Sequence, residues 1–169
     1  MPAFPDTGHH ALRRGRTSIR QQVYLLTTTT YRRQRLFADP VRARLASRII
    51  HAASTWGDAR LLAWVLMPDH WHGLLELGEQ PLSLTMCRFK GTLSRELHRL
   101  PDTPARIWTR SFHDHALRAD ENLRHAARYI IANPVRAALA PTVMDYPYWN
   151  AIWLNPPPSP REQPPDRDS

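Results

Sequence analysis

The 169-residue chain predicts a single α+β domain, a ferredoxin-like (RRM-like) β-α-β-β-α-β sheet with one added C-terminal helix. Three observations predict it. An apolar run, Arg60–Met67, turns at Pro68-Asp69 straight into a second strand-like run, which reads as a central hairpin. Helix-period stretches flank that hairpin on both sides, and a β-branched run precedes the first of them. The length corresponds to one domain, and a hydrophobic content of 42% is enough to give it a core.

The first strand is read over Gln22–Thr30, rich in β-branched and aromatic residues. Asp39-Pro40 offers an N-cap followed by Pro at the first helical position. Val41, Leu45, Ile49, Ala52 and Trp56 then recur at helical spacing until Gly57 ends the helix. Arg60–Met67 is almost continuously apolar, as in a strand covered on both faces. The third strand runs His70–Leu77. Leu82, Met86, Phe89, Leu93, Leu97 and Leu100 mark a second amphipathic helix, with Arg88, Lys90, Arg95 and Arg99 on its polar faces. A short strand around Ile107–Leu117 and a third helix from about Asp120 to Asn133 complete the order. The domain is thus expected over residues 21–154. Residues 1–20 read as a basic flexible arm, and 155–169, with six Pro in fifteen residues, as a disordered tail.

Composition narrows the function classes. No apolar run approaches the ~18 residues of a membrane-crossing helix, and no apolar stretch follows the basic N-terminal residues as a secretory signal requires. Cys87 is the only cysteine, which excludes an internal disulfide and any zinc finger built on Cys pairs, and suits a reducing cytoplasm. The net charge of +8 resides in residues 1–60, with eleven Arg against three acidic residues. Of the 23 basic residues 22 are Arg, suited to bidentate phosphate contacts and to stacking on bases, so nucleic acid is the expected partner. Arg32, Arg33 and Arg35, followed by Phe37, are candidate DNA contacts, as are Lys90 and Arg95 on the second helix.

The chemistry lies in two segments. In Met67-Pro-Asp-His70-Trp-His72-Gly-Leu-Leu-Glu76 the strand period of two places His70 and His72 on one face and Trp71 on the other. Two imidazoles so placed can reach one metal ion, with Glu76 further along the same face. The stripe His125, Tyr129, Asn133 recurs at i, i+4, i+8 on the third helix, opposite the apolar Leu123, Ala126, Ala127 and Ile130. His70, His72 and Asn133 would make a three-ligand site with open positions, and a phenol one helical turn from the ion can act as a nucleophile toward phosphorus. His113 and His115 form a second H-x-H, and periodicity does not decide between the two pairs. His115 is taken as a supporting group, and His125 as a neighbour of the phenol.

The segments MPDHWHGLLEL (67–77), FHDHALR (112–118) and YIIANPVRAAL (129–139), in this order, resemble the single-tyrosine HUH transposases of the IS200/IS605 type, in particular the REP-associated tyrosine transposases. The resemblance runs from about Tyr24 to Trp149. It implies His70 and His72 as metal ligands, Asn133 as the third, and Tyr129 as the nucleophile. It also implies Mg²⁺ or Mn²⁺, where imidazoles alone would favour Zn²⁺. The substrate would be single-stranded DNA with a hairpin, nicked and rejoined through a 5′-phosphotyrosine bond by a monomer. Ala138 departs from the pattern, since relatives usually carry Gly there, and Tyr148-Trp149-Asn150-Ala151 replaces a usual Trp-Ser-Ser. Two other readings stay open on the residues: a non-catalytic single-stranded nucleic-acid binding module, and a hydrolytic nuclease in which Tyr129 only positions the strand.

Overall fold

The structure, a computed structural model, describes residues 19–118 and 122–154. Strands β1 (Val23–Thr29), β2 (Arg60–Met67), β3 (His70–Glu76), β4 (His113–Ala116) and β5 (Trp149–Ala151) form one antiparallel sheet in the order β4-β1-β3-β2-β5. Helices α1 (Pro40–His51) and α2 (Leu82–Leu97) cover one face, and α3 (Leu123–Ile131), continued by the single turn α4 (Asn133–Arg136), covers the other. The first four strands with α1 and α2 are the expected split β-α-β arrangement. Because helices lie on both faces, β2 is buried from Leu62 to Met67.

On the α1/α2 face the core is aromatic. Trp56 stacks on Trp71 (5.6 Å) and Phe89 (4.8 Å), and its Nε1 donates to the Ile50 carbonyl at 2.8 Å. Trp71 is fully buried, and its indole folds back over Gly73, where a Cβ would stand 2.1 Å from a ring carbon. Only a residue without a side chain fits beneath that ring.

Several expectations are corrected. Asp39 caps α1 through a bond from the Val41 N–H, with Pro40 in the first turn, but the buried stripe is Ala43, Ala46 and Ile50, while Val41 lies exposed. The helix stops at His51, and Trp56 follows a separate 3-10 turn; of the expected apolar positions, Leu45 and Ile49 pack against the core beside the buried alanines. α2 ends at Leu97, short of the expected Leu100. The strand expected around Ile107–Leu117 is two pieces, a bridge from Trp108 to Thr30 and then β4. Between them Lys90 Nζ draws in the carbonyls of Thr109 (3.0 Å) and Ser111 (2.8 Å), which turns the chain off the ladder. β5, three residues long, was not expected. The start of the third helix at Asp120 lies outside the described residues, as do most of the basic arm and the Pro-rich tail; α3 begins at Leu123 behind an Asn122 cap.

Candidate active site

His70 and His72 stand on the α3 face of β3, with Trp71 on the opposite face. Their rings are 4.8 Å apart, centre to centre, and perpendicular. Each Nδ1 has a partner. Asp69 Oδ1 meets His70 Nδ1 at 2.5 Å, and Thr27 Oγ1, directly across the ladder on β1, meets His72 Nδ1 at 2.7 Å. With both Nδ1 atoms engaged, both Nε2 atoms are left as the ligating positions, the arrangement in which a partner on one ring nitrogen orients the other toward a metal.

Burial, then the charges of His70, Arg136 and Arg33, push the His72 pKa down to about 3, so the ring is neutral at physiological pH. For Asp69, burial works against the charged form. The hydrogen bond and charge of His70, with the charge of Arg33, outweigh it and hold the carboxyl below its usual range. Arg33 Nη1 lies 3.4 Å from Asp69 Oδ2. Arg32 and Arg33 both adopt left-handed backbone (φ +55), a turn that folds the 31–35 loop against Asp69; Thr30 secures it by donating to the Asp69 carbonyl from both its N–H (2.8 Å) and its hydroxyl (2.9 Å).

On the facing helix, Ala127 and Ile130 are buried against β2 while Tyr129, two-fifths exposed, remains at the surface. Pro134 has no N–H, so the helical ladder loses a donor at Ile130, and Asn133 Nδ2 supplies it at 2.8 Å. That bond turns Asn133 Oδ1 outward, where Arg136 Nη2 donates to it at 2.6 Å. Arg136 also donates from Nη1 to the Tyr129 carbonyl (2.8 Å), and its guanidinium lies 4.2 Å from the centre of the Tyr129 ring.

The other sequence candidates are distributed as follows. Glu76 does not join the histidines. It lies four residues along the strand from His72, about 13 Å away, in an ion pair with Arg60 (2.7 Å). His115 aligns with Leu25, whereas its neighbour His113 aligns with Thr27 and so falls in the row of His72. His125 is exposed on the first turn of α3, where its N–H closes the Asn122 cap. Arg32, Arg33 and Arg35 line the loop beside Asp69 and are exposed. Lys90 and Arg95 are on α2, across the sheet from the histidines, where Lys90 donates to the carbonyls of Thr109 and Ser111 and the exposed Arg95 pairs with Glu96 (3.2 Å).

Thr27, Asp69 and Arg136 escaped sequence reasoning. Arg136 had a signal, for it extends the stripe His125, Tyr129, Asn133 by three residues. Thr27 had none, because its role depends on cross-strand register. Among the described residues no three His, Cys, Asp or Glu side chains gather as a metal-holding group, and the covering helix offers the amide oxygen Asn133 Oδ1. Two oriented imidazoles with an amide oxygen fit a divalent cation with open positions.

Among known proteins, the chain is 30% identical to a protein of Haemophilus influenzae assigned as a REP-associated tyrosine transposase, over 52% of this chain and 56% of that one. It is also 30% identical to the REP-associated tyrosine transposase of Escherichia coli, over 51% of this chain and 50% of the other. The chain thus spans about half the length of these relatives. A solved structure of a REP-associated tyrosine transposase bound to a REP hairpin matches with a TM-score of 0.64 and 26% identity, covering 80% of this chain and 79% of that one. The family model for IS200-like transposases matches residues 18–133, a span that takes in β1 to β4, α1 to α3 and Asn133, and the chain belongs to that family.

Proposed function

We propose that the protein nicks and rejoins single-stranded DNA beside a hairpin, as a monomeric transposase-type strand transferase with Tyr129 as its nucleophile. One observation carries the reading: His70 and His72, each held through Nδ1, share a sheet face with the helix that bears Tyr129 and Asn133. The structural likeness to a transposase bound to a REP hairpin supports hairpin DNA as the substrate class.

His70, His72 and Asn133 would hold Mg²⁺ or Mn²⁺, which when bound would polarise the scissile phosphate and offset its charge. Tyr129 supplies the attacking oxygen. Its phenol loses a proton to solvent, the new O–P bond forms a 5′-phosphotyrosine, the P–O3′ bond breaks, and the departing 3′ oxygen takes up a proton. A free 3′-hydroxyl reverses the same steps, so rejoining needs no external energy source. Arg32, Arg33 and Arg35, on the loop next to His70, give the strand a basic border. No helix among the described residues is long and apolar enough to cross a membrane.

The test uses hairpin oligonucleotides with single-stranded flanks, labelled at either end and incubated with Mn²⁺. The expected result is a covalent adduct that carries the 3′-end label and not the 5′-end label, and that vanishes in Tyr129→Phe while DNA binding persists. Cleavage without an adduct would transfer the reading to a hydrolytic nuclease. Tight, salt-sensitive binding with no metal-dependent product, on hairpins that a relative cleaves, would leave a binding module.

A further inference from the structure

The Asn133 side chain has two tasks that conflict. The reading above gives its Oδ1 to a divalent cation, yet in this structure that oxygen accepts from Arg136 Nη2 at 2.6 Å. An amide oxygen has two lone pairs, but a guanidinium and a divalent cation on the same atom would stand a few ångströms apart and repel. The guanidinium's other contacts, the Tyr129 carbonyl and ring, leave Asn133 untouched and survive if Nη2 lets go.

We infer that Arg136 is a latch: it holds Asn133 Oδ1 against Tyr129 until a divalent cation takes that oxygen, then keeps only its grip on Tyr129. The inference rests on the metal reading of His70, His72 and Asn133. Arg136 acts through Asn133 and Tyr129 and is a positioning residue. The planar fork matters, because one guanidinium spans the Tyr129 carbonyl and the Asn133 amide at once, which a Lys ammonium on a single Nζ cannot reproduce.

The experiment is a Mn²⁺ titration of the full chain without DNA, reading free Mn²⁺ by electron paramagnetic resonance. It compares wild type, Arg136→Lys and Arg136→Gln, each also with Asn133→Ala, and His70→Ala. The expected result is tighter Mn²⁺ binding by about tenfold in Arg136→Gln, the worth of one charge-assisted hydrogen bond no longer surrendered. Arg136→Lys, which keeps the charge, should also tighten binding severalfold. In the Asn133→Ala background Arg136→Lys should lose its effect, and Arg136→Gln should keep only the part that comes from its lost charge. Tightening in Arg136→Gln alone, or an Arg136→Lys effect that persists with Asn133→Ala, would reduce Arg136 to plain charge repulsion and overturn the latch. Unchanged or weaker binding in Arg136→Gln overturns it too. Wild-type binding that does not respond to His70→Ala would instead sink the metal reading, and the latch with it.

Discussion

Gly73→Ala tests whether the histidine strand is held by the aromatic core behind it. A Cβ at this position would lie 2.1 and 2.2 Å from two carbons of the Trp71 ring, against the ~3.5–4 Å of an ordinary carbon contact. Relief requires a shift of about 1.5 Å by an indole that is fully buried between Trp56 at 5.6 Å and Phe89 at 4.7 Å. A displacement that large falls at the upper end of the overpacking range, about 3 kcal/mol, and expulsion of the indole costs about 3–5 kcal/mol. Alanine's lower conformational freedom in the unfolded chain returns about 0.5–1 kcal/mol, leaving a net loss of about 2–4 kcal/mol. Urea unfolding followed by tryptophan fluorescence measures it. The second arm pairs Gly73→Ala with Trp71→Leu, which removes the clashing ring. The two losses should then fall short of their sum by at least about 1 kcal/mol. Stability within about 0.5 kcal/mol of wild type in Gly73→Ala, or strict additivity with Trp71→Leu, would refute the packing argument.

Three further outcomes are expected. Ala138, with φ +53 just beyond α4, occupies a left-handed position that favours glycine, so Ala138→Gly should raise stability by about 0.5–1 kcal/mol in the same urea assay. Thr27→Val leaves the His72 Nδ1 without its partner. It should cost about 1–2 kcal/mol of stability and weaken Mn²⁺ binding about tenfold or more, and a variant unchanged in both would remove Thr27 from the site. Stability should also fall with acid. His72 is neutral when folded until about pH 3 but takes a proton near pH 6.5 when unfolded, so the unfolded state binds more protons between those values. The loss should begin below about pH 6.5 and reach up to about 2 kcal/mol at pH 5, with Asp69 adding to it below about pH 4. A His72→Gln variant should abolish the part of the slope above pH 4, and an unaltered slope would assign it elsewhere.

The elements with large-scale pattern were legible in the sequence. β2 was read to its last residue because a strand buried on both faces shows an unbroken apolar run, and the Asp39-Pro40 start of α1 because capping is local chemistry. What could not be read depends on approach and length. The buried face of α1 is only half legible: Leu45 and Ile49 do pack against the core, but Ala43 and Ala46, at its centre, carry little hydrophobic weight in a periodicity count. β5 has three residues, too few for alternation to show, and its strand character comes from pairing Ala151, Asn150 and Trp149 with Ala63, Trp64 and Val65 on β2.

The site divides along the same line. His70 and His72 could be assigned to one face from strand parity, and Tyr129 and Asn133 to one stripe from helix period, because both are properties of a single element. The groups that orient them come from other elements or through loops: Thr27 through the β1–β3 register, Arg33 through the strained turn against Asp69. Asn133 shows why the two levels interlock. Its neighbour Pro134 breaks the helix where sequence reasoning expected an end, but the consequence is orientation: the amide nitrogen is consumed replacing the missing N–H, which leaves only the oxygen to face outward. A Gln at 133 could extend its oxygen further but would lose the short reach to the Ile130 carbonyl, and an Asp would have no donor for it. The Asn-Pro pair therefore fixes the end of α3 and the donor atom of the candidate ligand in one device.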